Sequence, residues 1–219
     1  MPDMSVARLH MVEGQVRTND VTDTRITELM SGLERERFVP VERRNLAYSD
    51  MCVELKPGRF LTDPRSFAKL VQALEITSSD RVLDIACGTG YSSAVLAGLS
   101  ADVTALEEDE ELVKFAAPVL RSCKKLGRLN GVVGSHKAGA PAHAPYDVIF
   151  VNGAVEEIPP AWIDQLKEGG RMGVIIKSGA VGSGYFCVRK NGVLGRRVVF
   201  DATVPVLPGC ERAPKFVFQ

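Results

Sequence analysis

Apolar positions along the chain follow two periods, and the change from one to the other divides it. In "NDVTDTRITELMSGLERERFVP", Ile26, Leu29, Met30 and Leu33 recur at i, i+3, i+4 and i+7, which predicts one face of an amphipathic helix ending before Pro40. The next stretch, "LAYSDMCVELKPGRFLTDP", alternates weakly and carries Pro57-Gly58, predicting two short extended pieces about a turn. Asp63 then stands as an N-cap and Pro64 as the first helical residue, ahead of a second helical stripe of Phe67, Leu70, Val71 and Leu74. Residues 1–80 therefore read as an N-terminal helical cap.

From Arg81 onward, strands and helices alternate. "RVLDIA" precedes a helix from about Tyr91 and "DVTALE" a helix from about Glu110; a weaker "GVVG" follows, then "YDVIFV", a helix near "PPAWIDQL", and "GGRMGVIIK". Strands that are apolar at their centres and separated by helices predict a mostly parallel sheet covered on both faces, a doubly wound α/β core over 81–219 within a single domain. After Lys177, two further strands about the Asn191-Gly192 turn predict an antiparallel finish.

Composition narrows the function classes. The 219 residues are 45% hydrophobic, enough to bury a real core, and 27 basic residues balance 27 acidic ones, so no overall field favours nucleic acid or an anionic membrane. No apolar run approaches the roughly 18 residues of a membrane span. The beginning, "MPDMSVARLHMVEGQVRTND", lacks the apolar centre of a signal peptide, so the expected location is cytoplasmic. Cys52, Cys87, Cys123, Cys187 and Cys210 form no CxxC pair, and His10, His136 and His143 are scattered, so no metal site is expected.

Candidate chemistry gathers at "VLDIACGTGYSSAVLA", the first strand-to-helix turn of the alternating region. In a doubly wound sheet this turn lies where strand order reverses and ligands bind. Gly88 and Gly90 let the backbone turn tightly and approach a ligand. The series continues to Ser93 rather than to the third small residue of a dinucleotide fingerprint, and Asp84 would repel a pyrophosphate while suiting a ligand with a positive amino group. S-adenosylmethionine is such a ligand. Glu107, at the end of "DVTALE", can accept hydrogen bonds from ribose hydroxyls and serves either kind of adenosine cofactor. Glu108, Asp109, Glu110 and Glu111 read as an acidic first helical turn.

"VLDIACGTGYSSA" resembles motif I of the class I S-adenosylmethionine-dependent methyltransferases. "RERFVP", "AYSD", "PGRFLTDP" and "APYDVIFVNGAVEEIPPAWIDQLKEGGRMGVII" narrow the resemblance to the protein-L-isoaspartate (D-aspartate) O-methyltransferases over roughly residues 10 to 180. The resemblance implies a Rossmann-like, seven-stranded sheet and methyl transfer from S-adenosylmethionine to the isoaspartyl carboxylate of damaged peptides or proteins. It assigns the cofactor to Asp84, Ala86, Gly88, Thr89, Gly90, Glu107 and Ser135. It places the acceptor peptide beside Thr62, as the catalytic-loop residue, and beside Asn152, Gly153, Ala154 and Val155.

Three departures bear on the acceptor and on adenine. Thr62 stands where the family usually carries serine, Ser135 where it typically carries aspartate, and Asn152 to Val155 replace an alanine-rich run. They keep open a methyltransferase of the same lineage with a small-molecule acceptor, and a cofactor-binding module without turnover. Phe216, Val217 and Phe218 are candidates to cover the pocket, the sheet edge or another subunit.

Overall fold

The computed structural model describes residues 4–124 and 126–212; Phe216 to Phe218 lie outside them. The cap contains α1 (Ser5–Met11), continued by a π-helical turn over Val12–Val16, and α2 (Thr24–Gly32). The Asp23 side chain caps α2 by accepting from the Arg25 amide. The helix at α1 was not legible from apolar spacing, although Met11, Val12 and Val16 are wholly buried.

A two-stranded antiparallel sheet, β1 (Val53–Lys56) and β2 (Arg59–Leu61), turns at Pro57-Gly58 as predicted. It leads into α3 (Pro64–Ala73), where Asp63 accepts from the Ser66 amide at 2.8 Å and Pro64 opens the helix. The core then runs β3 (Arg81–Ile85), α4 (Tyr91–Leu99), β4 (Asp102–Glu107), α5 (Glu110–Ser122), β5 (Arg128–Val133), β6 (Tyr146–Val155), α6 (Pro160–Asp164), β7 (Leu166–Ser178), β8 (Val181–Lys190) and β9 (Val193–Ala202). Three expected bounds move: α2 ends at Gly32 with Leu33 already extended and a 3-10 turn over Arg35–Phe38 before Pro40, "GVVG" is the end of a strand beginning at Arg128, and the helix at "PPAWIDQL" stops at Asp164 because Leu166 already pairs with Tyr146 in the sheet.

The seven strands lie in the order β5-β4-β3-β6-β7-β8-β9. The first five are parallel to one another, and the β8 hairpin makes the antiparallel finish. Order reverses at β3, whose neighbours are β4 and β6, so the ligand crevice belongs at the carboxyl ends of these three strands. Successive residues of the central strands enter different cores. Val82 and Phe150 pack with Ile26, Met30 and Phe38 of the cap, while Leu83 and Ile149 pack with Trp162, Leu166 and Met172 on the opposite face.

Aromatic rings tie the cap to the sheet. Phe38, Tyr91, Phe67 and Phe150 form a chain with centroids 5.4 to 5.6 Å apart, and the buried Arg35 guanidinium lies 4.6 Å from the Tyr91 ring centre. Arg35 also donates to the carbonyls of Ala47 and Thr62, fixing the end of β2 against the cap.

β6 carries a bulge where the site is built. Phe150 pairs with Gly173 but Ala154 with Ile175, so β6 carries extra residues between these pairs. The segment after β9 docks there: the Ala154 amide donates to Pro205, Leu207 donates to Ala154, and Glu156 donates to Cys210. Gly153 has φ of +150°, and a β-carbon on it would stand 2.6 Å from Leu207 Cδ2. Gly153→Ala is accordingly expected to loosen this docked segment and lower stability by about 1–3 kcal/mol. Urea unfolding followed through Trp162, the single tryptophan and fully buried, checks this.

Candidate active site

β3 leaves the sheet through a turn in which Ala86, Gly88 and Gly90 all have positive φ (61°, 58° and 90°). For glycine this is free of steric cost; for Ala86 it costs about 1 kcal/mol and points the carbonyl into the crevice. That carbonyl accepts from Asn152 Nδ2 and from an Arg59 terminal nitrogen, each at 3.3 Å. Thr89 faces the cap instead: its hydroxyl donates to the Phe38 carbonyl at 2.5 Å. At Gly88 a β-carbon would come within 3.1 Å of Leu55 Cδ1, so the β1–β2 hairpin lies directly against the turn.

Glu107, at the end of β4, is wholly buried and heavily bonded. Arg59 makes a two-pronged pair with it at 2.5 and 2.7 Å, and His136 Nε2 lies 3.1 Å from Oε1. The amides of Gly88, Glu108 and Asp109 also donate to it. Burial pushes its pKa up, but hydrogen bonds from His136 and Arg59 outweigh that and hold the carboxyl well below the usual carboxylate range. It stays an anion at any ordinary pH.

Asp84 takes the opposite course one strand away. It is fully buried, and both Ser92 and Ser93 hydroxyls donate to the same oxygen, Oδ2, at 2.7 and 2.6 Å. Oδ1 is buried with no hydrogen-bond partner. Burial dominates, the serines oppose it, and nearby Glu107 adds repulsion, so the carboxyl is pushed up to about 7. A buried acceptor of this kind is completed by a cationic donor. Beside it, burial pushes the Cys87 thiol up and keeps it neutral.

Thr62 and Asn152 meet although 90 residues separate them: the Thr62 hydroxyl donates to Asn152 Oδ1 at 2.9 Å. With the Asn152 bond to Ala86, this chain links the hairpin, the β6 bulge and the glycine turn. Gly153, Ala154 and Val155 are buried, and the docked segment around Leu207 covers this part of β6. Only Asn152 of that run has a side-chain bond to the crevice residues Thr62 and Ala86.

Ser135 is exposed and its hydroxyl caps no helix. Its neighbour His136 turns inward instead, 1% exposed, with its carbonyl accepting from Trp162 Nε1 at 2.8 Å. In the sequence His136 is only one of three scattered histidines and carries no spacing signal. Arg59 was missed as well, yet a signal existed: with period two along β2, Arg59 shares the buried face with Leu61, and a charge on an inward face requires a buried partner. An apolar cavity of about 540 Å³ lies under α5, lined by Ala105, Ala116, Leu120 and Leu129, and it includes neither Asp84 nor Glu107.

The family described as Protein-L-isoaspartate(D-aspartate) O-methyltransferase matches residues 7–195. A protein-L-isoaspartate O-methyltransferase of Koribacter versatilis is 32% identical over 212 residues, covering 94% of each chain. One from Opitutus terrae is 38% identical over 167 residues, covering 75% of this chain and 70% of its own length. Among solved structures, a candidate enzyme of the same name from Plasmodium falciparum, in complex with S-adenosyl-L-homocysteine, superposes with a TM-score of 0.77 at 20% identity, over 91% of this chain and 97% of that one. A further protein-L-isoaspartate O-methyltransferase gives a TM-score of 0.77 at 24% identity, over 92% of this chain and 66% of that one. At these identities the structural likeness concerns the fold.

Asp84 makes stability depend on pH in a definite direction. Its folded pKa, about 7, lies above the ordinary aspartate value of 3.8, so the folded state holds the proton more tightly than the unfolded chain. Its contribution is full below pH 4 and is lost as pH rises toward 7, on the order of 4 kcal/mol across that window. Chemical denaturation at pH 5 and 7.5 is expected to show this decline after subtraction of an Asp84→Asn variant, in which it is absent.

Proposed function

The chain belongs to the protein-L-isoaspartate(D-aspartate) O-methyltransferase family, and on that premise we propose that it transfers a methyl group from S-adenosylmethionine to the carboxylate of L-isoaspartyl residues in damaged proteins, the first step of their repair. The observation that carries this reading is the family match over residues 7–195, which spans the cap, the glycine turn and the sheet ends together.

The residues at the crevice fit the cofactor in kind. S-adenosylmethionine supplies an electrophilic methyl on a sulfonium and brings an ammonium, a carboxylate and a ribose diol. Asp84 Oδ1, buried and unpartnered, suits the ammonium. Glu107, an anion fixed at the end of β4, suits the ribose, and the Ala86 carbonyl with Gly88 and Gly90 lines the turn between them. Thr89 supports this turn through its bond to the cap, and Ser135, exposed after β5, is proposed to meet the adenine.

The acceptor chemistry asks little of a base. A carboxylate nucleophile is ionised at neutral pH, so catalysis rests on placing it in line with the methyl group and excluding water. Thr62 is the residue proposed to orient it, its hydroxyl turning from Asn152 Oδ1 to donate to the acceptor carboxylate. The balanced charge of the chain gives no general attraction to nucleic acid, and we place the enzyme in the cytoplasm.

Labelled methyl transfer to an isoaspartyl peptide, run beside the same peptide with normal aspartate, is expected to give base-labile ester on the isoaspartyl form only. Label on both peptides or on neither would overturn the assignment. Thr62→Val removes the donor to Asn152 and leaves a buried carbonyl oxygen unpaired, while Thr62→Ser keeps it. The valine variant is expected to lose about tenfold or more in kcat/KM for the peptide, with the serine variant near wild type.

A further inference from the structure

Glu107 holds more donors than a carboxylate can keep while also taking a sugar. Arg59 supplies two and the amides of Gly88, Glu108 and Asp109 three, against about four acceptor positions on an ionised carboxylate, and His136 Nε2 lies 3.1 Å from Oε1 besides. The amides are fixed by the glycine turn and the start of α5. His136 is held through its carbonyl by Trp162 and through its amide by Glu108. Arg59 alone is carried on a small separate sheet, the β1–β2 hairpin, and is the donor able to withdraw.

Its position marks where it would go. The Arg59 side chain is 6% exposed, one terminal nitrogen is shared with the Ala86 carbonyl, and Nε is buried without a partner. The guanidinium therefore already reaches from Glu107 to the backbone of the glycine turn and still has a donor to satisfy. Near the same turn, Asp84 offers a buried acceptor without a partner. An amino-acid group, ammonium and carboxylate together, satisfies an orphaned acceptor and an orphaned donor at once.

Resting on the reading of this crevice as the S-adenosylmethionine site, we propose that Arg59 is a specificity-determining residue. It pairs with Glu107 in the free protein and exchanges that carboxylate for the α-carboxylate of the incoming nucleoside when the ribose takes Glu107. The site thereby selects adenosyl ligands that carry a carboxylate over those that lack one. A ligand without the carboxylate must displace a buried guanidinium and leave its charge uncompensated, which is strongly unfavourable.

The test compares S-adenosylhomocysteine with 5′-methylthioadenosine, which keeps the adenosine and thioether but lacks the amino acid. Calorimetry is expected to show a wild-type preference for S-adenosylhomocysteine that shrinks about tenfold or more in Arg59→Gln, in part through tighter binding of methylthioadenosine. An unchanged ratio would overturn the proposal while leaving the cofactor site standing. Binding of neither ligand to the wild type would remove the cofactor site and the proposal with it.

A second measurement needs only wild-type protein. Phenylglyoxal labelling read by peptide mapping is expected to leave Arg59 protected in the free protein and with S-adenosylhomocysteine, and to modify it when methylthioadenosine is bound. Equal protection with both ligands would sink the exchange.

Discussion

The buried pairing of Glu107 with Arg59 is the interaction on which the crevice depends, because it draws four separate parts of the chain to one carboxylate. The glycine turn contributes the Gly88 amide, the start of α5 contributes two more amides, the loop after β5 contributes His136, and the β1–β2 hairpin contributes Arg59. An isolated buried ion pair costs more in lost hydration than its attraction returns. Here the remaining lone pairs are met by backbone donors, which is the condition under which such a pair is stable. The hairpin is thereby seated on the glycine turn, and the cap, joined to the hairpin through Arg35 and the Thr62 carbonyl, follows it.

Two carboxylates on neighbouring strands are pushed in opposite directions by what surrounds them. Both are buried at the ends of parallel strands. Glu107 receives a guanidinium and stays ionised, whereas burial of Asp84, only partly offset by two serine hydroxyls on one oxygen, holds its proton until about pH 7. One strand end is thus a permanent anion and the next an acceptor that becomes fully charged when a cation arrives. That asymmetry suits a ligand that is a neutral sugar at one end and an ammonium at the other.

The part of the crevice around Asn152 is organised by the bulge in β6. The extra residues between Phe150 and Ala154 bring Asn152 to Thr62 and Ala86, while the segment around Leu207 covers Gly153 to Val155 from the far side. A regular ladder with strict alternation would carry no such irregularity at the mouth of the sheet. Thr62 and Asn152, far apart in the chain, are thereby made the two partners of one hydrogen bond.

Local patterning by itself determined the elements whose signals lie within a few residues. The helix over Ile26 to Met30, the Asp63 cap with Pro64, the strands "RVLDIA" and "DVTALE", and the Asn191-Gly192 hairpin all stand where local signals put them, with the helix ending a residue before Leu33. The same holds for the glycine turn and for the positions of Asp84 and Glu107 at strand ends, since strand and turn fix both. Asp84 meets Ser92 and Ser93 of the adjoining helix, but tertiary structure alone decided the distant partners of the crevice. Arg59 lies 48 residues from Glu107, Thr62 90 from Asn152, and His136 reaches the site only because β5 pairs beside β4. Hydrogen bonds and charge pairs act over a few ångströms in space and leave no period in the chain, whereas burial of a helix face or a strand face must repeat along it.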